Sequence, residues 1–224
     1  MAASSDLDSI KSALASDNFG DRIKAINELR DIDSATALPL ICPLTDDPNA
    51  RVRYAAVSQI TTHGPQDPDT AYKVLTASLG DPEADVQAAA ADGLGALKLT
   101  DALDDLKELY DMTPEWLVKM SIVACLGEMG DARGFDLLRT ALSSEHSLVV
   151  VSAIGAMGEL EDDRAIPLLL PYLNDEDWQI RHRLAQALGH FKDHATAGAE
   201  IDEALQQLSQ DENALVAEAA QRHT

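Results

Sequence analysis

The amino-acid sequence predicts an all-α protein built as an α-α superhelix, a solenoid of about seven helical hairpins. Two observations carry this. Segments that begin at Val52, Val86, Val118, Val149 and Ile180 share one apolar pattern, as in "VRYAAVSQI" and "IRHRLAQALG", and start 34, 32, 31 and 31 residues apart. A pair of prolines recurs as well: Pro39 and Pro43 in "TALPLICPL" return as Pro167 and Pro171 in "RAIPLLLPYL", 128 residues later in both cases. A fixed period in this range marks a repeat array, in which each unit buries its apolar face only against its neighbours.

The units follow in chain order. A weaker copy, "DRIKAINEL" from Asp21, opens the array, and "VAEAAQRH" from Val216 closes it. In most copies apolar or small side chains fall at offsets 0, 4, 5, 7, 8 and 11, as with Val118, Ile122, Val123, Cys125, Leu126 and Met129. That is a stripe of helical period, wide enough to pack on two sides. Ahead of it lies a shorter amphipathic helix that ends in Leu44, Leu79, Leu142, Leu173 or Leu208. Asp, Asn, Ser or Thr between the two caps the second helix, with Pro48, Pro82 and Pro114 expected in its first turn, where a missing N–H costs little. Pro39 and Pro167 are expected in the first turn of their helices for the same reason. Pro43 and Pro171 lie deeper and are expected to bend them. The stretch "THGPQDPD" (Thr62 to Asp69) reads as a loop between units, too short to divide the chain, so residues 1–224 are expected to form a single repeat domain.

Composition narrows the function by exclusion. The chain is 46% hydrophobic but only 4% aromatic, so Ala and Leu must do the packing. Lys and Arg number 17 against 39 Asp and Glu, a net charge of −22, which disfavours nucleic acid and anionic membrane surfaces as partners. No signal peptide precedes the repeats and no apolar run approaches the roughly 20 residues that span a bilayer; the expectation is a soluble, cytoplasmic protein. Cys42 and Cys125 occupy apolar helical positions and read as small core hydrophobes. His182 and His190 are eight residues apart, too far for an i, i+4 metal pair, so no metal site is expected. "DEDW" (Asp175 to Trp178) crowds three carboxylates ahead of a helix, where they favour capping and the positive end of the macrodipole. "DGLG" and "CLGEMG" lie in or at the end of repeat helices and read as close-packing or helix-ending glycines rather than a phosphate loop.

What packing leaves over is a stripe at offsets 2, 6 and 10 of the second helices: Tyr54, Ser58, Thr62; Ala88, Asp92, Ala96; Met120, Ala124, Glu128; Val151, Gly155, Glu159; His182, Gln186, His190. Second helices line the inner wall of such arrays, so this stripe should form a concave surface. Apolar Met120 and Val151 at its centre suit a protein partner. Trp116 and Trp178, two residues ahead of the pattern in units two apart, stand near its rim as candidate anchors.

The period near 31 residues, the "VR..AA..LG" core and linkers such as "GDARGFDLL" and "EDDRAIPLLL" resemble the short HEAT-like repeats of phycobilisome lyase type. The Arg that follows the first Val is kept at Arg53 and Arg181, becomes Lys119, and is lost at Gln87, Val150 and Ala217. Among such proteins the chain is similar to the E/F-type phycobiliprotein lyase subunits and, in its size, to the NblB-type phycobilisome degradation proteins. The resemblance implies binding to phycobiliprotein subunits and help in detaching or attaching a bilin, with no permanently bound cofactor and a bilin such as phycocyanobilin as a passing ligand. Partner binding would fall to Tyr54, Asp92, Trp116, Met120, Glu128, Val151, Glu159, Trp178, His182, Gln186 and His190. His182 and His190, able to titrate near neutral pH, are the candidate acid and base groups. The alternative expectation is an interaction scaffold or assembly factor that binds another protein and does no chromophore chemistry.

Overall fold

A computed structural model describes residues 2–192 and 198–223. Among these residues fourteen α-helices form seven consecutive pairs, with no strand. The pairs are α1 (Ala2–Leu14) with α2 (Phe19–Glu28), α3 (Ser34–Ile41) with α4 (Ala50–His63), α5 (Pro68–Ser78) with α6 (Ala84–Ala96), and α7 (Leu103–Met112) with α8 (Trp116–Met129). They continue as α9 (Phe135–Ala141) with α10 (Ser147–Leu160), α11 (Ile166–Leu169) with α12 (Trp178–His190), and α13 (Gly198–Leu208) with α14 (Ala214–Gln221). The contacts group into two compact units, residues 1–121 and 122–224.

In each unit the core comes from the offsets that the repeat pattern marks. Val118, Ile122, Val123, Cys125, Leu126 and Met129 of α8 are all buried, as are Ile180, Leu184, Ala185, Ala187, Leu188 and Phe191 around α12. The same offsets in α4 hold two polar residues, Gln59 and His63, which are 3% and 1% exposed. His63 Nδ1 lies 3.0 Å from Ser34 Oγ. Its Nε2 is buried, and burial, partly offset by a hydrogen bond with the Leu29 backbone, lowers the affinity of the ring for a proton.

The prolines behave differently from expectation at several points. Pro167 does sit at the start of α11, but Pro39 lies inside α3, well past the first turn. Its ring deprives the Ala35 carbonyl of its i+4 donor, and Ala35 is exposed, so water can take that place. Pro43 and Pro171 do not bend an α-helix. Each opens a 3₁₀ segment, Cys42–Asp46 and Leu170–Asn174, that replaces the last turn, since a tighter helix needs no i−4 bond where the proline stands. Pro48 and Pro82 precede the caps Asn49 and Glu83 rather than following them, and Pro114 likewise precedes Glu115, whose carbonyl accepts from Lys119 N. Residues 62–69 are not irregular either: α4 runs to His63, a 3₁₀ turn covers Gly64–Gln66 and α5 begins at Pro68.

The turn ahead of every second helix is closed in one way. The N–H of the capping residue donates to the side chain two positions earlier: Asn18 to Ser16, Asn49 to Asp47, Glu83 to Asp81, Glu115 to Thr113, His146 to Ser144, Asp177 to Asp175 and Asn213 to Asp211, at 2.8 to 3.2 Å. Where that acceptor is Asp, an arginine of the preceding second helix can bind it. Arg22 meets Asp47 at 2.9 Å, Arg53 meets Asp81 at 2.7 and 2.8 Å, and Arg181 meets Asp211 at 2.7 and 3.0 Å. Each guanidinium also donates to a main-chain carbonyl of its own turn, Ser16, Asp47 or Asp175. Gln87 keeps only that second bond, to the Asp81 carbonyl at 2.9 Å.

Candidate functional site

The second helices expose the residues that packing does not use, and the side chains of that stripe differ between the two units. In the N-terminal unit α4 packs against α6. Tyr54 is 48% exposed on α4, beside a groove of about 430 Å³ that Arg51, Glu83, Asp85 and Val86 also line. Asp92 on α6 is reached by solvent, yet the protein atoms around it push its carboxyl above the usual range, partly offset by a hydrogen bond with Ser121. Trp116, at the start of α8, is 41% exposed, and Met120 one turn on is half-buried. Lys119 places its ammonium 5.1 Å from the centre of the Tyr110 ring, a cation–π contact that holds it beside the helix. A second groove of this unit, about 620 Å³, lies away from the stripe, against the turns that Asp47, Arg53 and Asp81 tie together, with half-buried Cys42 on its wall. Burial pushes that thiol's pKa up, which makes it a poorer nucleophile.

In the C-terminal unit α12 packs between α10 and α14. Gly155 of α10, expected on the open stripe, is buried: a Cβ added there would fall 2.0 Å from Arg183 Nε. The guanidinium of Arg183 covers this glycine and donates to Glu159 at 3.2 Å and Gln186 at 3.3 Å. Ala88, in the N-terminal unit, is also buried. Val151 is half-buried, while Glu128 and Glu159 are exposed. His182 sits edge-on to Trp178, ring centres 6.4 Å apart, and Trp178 remains 39% exposed. His190 places Nδ1 at 3.6 Å from Glu161. The two histidines therefore face different neighbours and do not converge on one point. Among the described residues no group of three or more His, Cys, Asp and Glu side chains could hold a metal, and no helix is long and apolar enough to cross a membrane.

Arg183 is the stripe residue that the repeat pattern does not reveal, because it sits one position past the open offset. The signal for it is the glycine opposite. A residue without a side chain at offset 6 of one second helix leaves room for a long side chain from the next.

A family model described as HEAT repeats matches residues 44–125, 72–154 and 113–189, more than half of the chain. No curated protein matches it in sequence. Among solved structures, the complex of CpcE and CpcF of phycocyanin lyase from Nostoc sp. is similar at 20% identity and a TM-score of 0.63, over 96% of this chain and 93% of that one. YibA of E. coli is similar at 15% identity and a TM-score of 0.67, over 96% of this chain and 79% of that one. Yeast importin-beta, Kap95p, is similar at 15% identity and a TM-score of 0.66, over 97% of this chain and 35% of that one.

Proposed function

The chain belongs to the HEAT-repeat family, and from that premise we propose that it binds a phycobiliprotein through the open stripe of its second helices and assists the detachment or attachment of a bilin. The observation that carries the reading is the stripe itself. Each unit keeps an apolar, half-buried residue outside the packing offsets, Met120 in one and Val151 in the other, with part of its surface open to a partner. The likeness to the CpcE and CpcF chains over nearly the full length of both supports a phycobiliprotein as that partner. A thioether-linked bilin is made or released by proton transfer at the pyrrole and at the partner's thiol. A surface that fixes the phycobiliprotein would lower the barrier by orientation, with His182 or His190 as the nearby group that exchanges the proton. The bilin would be a passing ligand, not a resident cofactor.

Titration of the protein with phycocyanin, followed by co-elution and visible absorbance, tests this directly. Met120→Glu and Val151→Glu should each weaken binding by about tenfold or more, because an unpaired carboxylate must be desolvated in the contact, while helicity stays unchanged. Absence of both complex and spectral change removes the proposal. A second reading, an interaction scaffold without chromophore chemistry, draws on the engagement of His182 by Trp178 and of His190 by Glu161. Complex formation without any spectral change would select it.

A further inference from the structure

The three turns that open second helices in the C-terminal unit share a glutamate at their middle position: Ser144-Glu145-His146, Asp175-Glu176-Asp177 and Asp211-Glu212-Asn213. In each, the third residue's N–H closes onto the first residue's side chain, at 3.2, 2.9 and 2.8 Å. A turn closed this way leaves its middle residue pointing outward, and all three glutamates are exposed. Glu212 comes no nearer than 4.0 Å to Arg181, whose guanidinium is already held by Asp211.

Just inside this row stand Leu148, Trp178 and Leu215, 39%, 39% and 53% exposed. They are all the exposed large hydrophobic side chains among the described residues of this unit. Each occupies the first turn of its helix, α10, α12 and α14, where side chains lean toward the N-terminus and so overhang the same edge as the glutamates. Neighbouring packed helices lie about 8–10 Å apart, so a carboxylate and an apolar group return along the edge at about that interval. A large side chain left half in water at every step of a repeat, with none elsewhere in the unit, is the pattern of a contact surface.

We infer that this edge docks a basic amphipathic segment of a partner protein. Its apolar residues would lie against Leu148, Trp178 and Leu215, and its Lys or Arg side chains against Glu145, Glu176 and Glu212. Charge selects the occupant: three exposed carboxylates on a chain of net charge −22 repel an acidic segment and attract a basic one. The inference stands on the edge and not on chromophore chemistry, and it adds the chemistry of the partner to an edge that shares only Trp178 with the partner-binding residues of the function proposed above.

The test uses the full chain carrying Trp116→Phe, so that Trp178 is the emitting tryptophan, titrated with a synthetic Lys/Leu amphipathic helix and with its Glu/Leu counterpart. The Lys/Leu peptide should bind and shift the Trp178 emission to the blue, and the Glu/Leu peptide should not. Leu148→Ser with Leu215→Ser should weaken binding by about tenfold or more. Glu145→Gln with Glu176→Gln and Glu212→Gln should weaken it comparably and flatten its dependence on salt. Neutralising as many carboxylates in the other unit, Glu83→Gln with Asp85→Asn and Glu115→Gln, should change affinity by less than about threefold. Equal losses from the two charge sets would mean bulk attraction to an acidic chain and overturn the docking edge. So would binding indifferent to the Leu148 and Leu215 changes, or no binding of the basic peptide. Phycocyanin forms a separate arm: its failure to bind counts against the function proposed above and not against the edge.

Discussion

The two units use one helical pattern and differ in the residues at their turns and in what their glycines are packed against. At the turns, the N-terminal unit carries Pro48, Pro82 and Pro114 where the C-terminal unit carries Glu145, Glu176 and Glu212. In the N-terminal unit a glycine of a second helix accommodates side chains: a Cβ at Gly93 would meet the methyl groups of Leu75, on the first helix of its own pair, at 2.9 and 3.2 Å. Two glycines of the C-terminal unit accommodate backbone of the next second helix instead: a Cβ at Gly127 would lie 2.7 Å from Ala156 Cα, and one at Gly158 the same distance from Ala187 Cα. The N-terminal unit is knitted at its edge by two arginine–aspartate steps, Arg22 to Asp47 and Arg53 to Asp81; the C-terminal unit has one, Arg181 to Asp211. One unit is stitched along its turns. The other is pressed together along its helices.

That contrast can be broken most sharply at the glycines. Gly158→Ala should destabilise the protein by about 1–3 kcal/mol, because backbone cannot step aside for the new methyl. Gly93→Ala should come out near neutral, since leucine methyls can rotate away and the helix gains up to about 1 kcal/mol from alanine. Urea unfolding of both variants decides it, and equal losses would erase the distinction. At the turns, Arg53→Met removes charge-assisted hydrogen bonds from a nearly buried pair and should cost about 1.5–3 kcal/mol. Arg183→Met, whose partner Glu159 is open to solvent, should cost under about 1 kcal/mol.

The smallest expected effect is a pH dependence to which His63 of the N-terminal unit contributes. Burial holds the His63 pKa below its ordinary value of 6.5, so the unfolded chain takes up the proton more readily than the folded one. Stability from the neutral ring is complete above pH 6.5 and declines as the pH falls below it toward the lowered folded value. The thermal midpoint should drop between pH 7.5 and 5.5, and His63→Gln should reduce that drop. The carboxylates act later. Burial raises Asp81, but its bonds from Arg53 and the Glu83 N–H win and lower it, while Asp211 is lowered chiefly by Arg181. Their contribution persists above the unfolded carboxylate pKa, near 3.9, and is lost as the pH falls through the lowered folded values.

The hairpins are legible because burial at offsets 0, 4, 5, 7, 8 and 11 leaves a mark in most copies, with Val118 to Met129 as the clearest. The same count identified Tyr54, Glu128 and His190 as residues outside the packing, and they are exposed. It could not show that Gly155 lies under Arg183, because that contact depends on the distance between two helices and not on the period of either. The prolines misled by one or two positions. Sequence marks where an N–H is missing, whereas the hydrogen bond from Asn49 N to Asp47 decides where the helix starts and so leaves Pro48 outside it. The arginine after the first Val was visible as a repeated letter. Its purpose was not, since its partner Asp81 is 28 residues away in the next turn.

The turn closure has one more consequence. Each of the seven turns is secured by the residues on either side of its middle position, through a side-chain oxygen and a main-chain N–H. The middle residue, whether Asp17, Pro82 or Glu176, contributes nothing to that bond and faces water. These positions form a set of sites that can be rewritten together while the hairpins stay as they are. A library randomised there, and at the exposed first-turn residues Arg51, Asp85, Leu148 and Leu215, would sample new binding specificities on an unchanged frame.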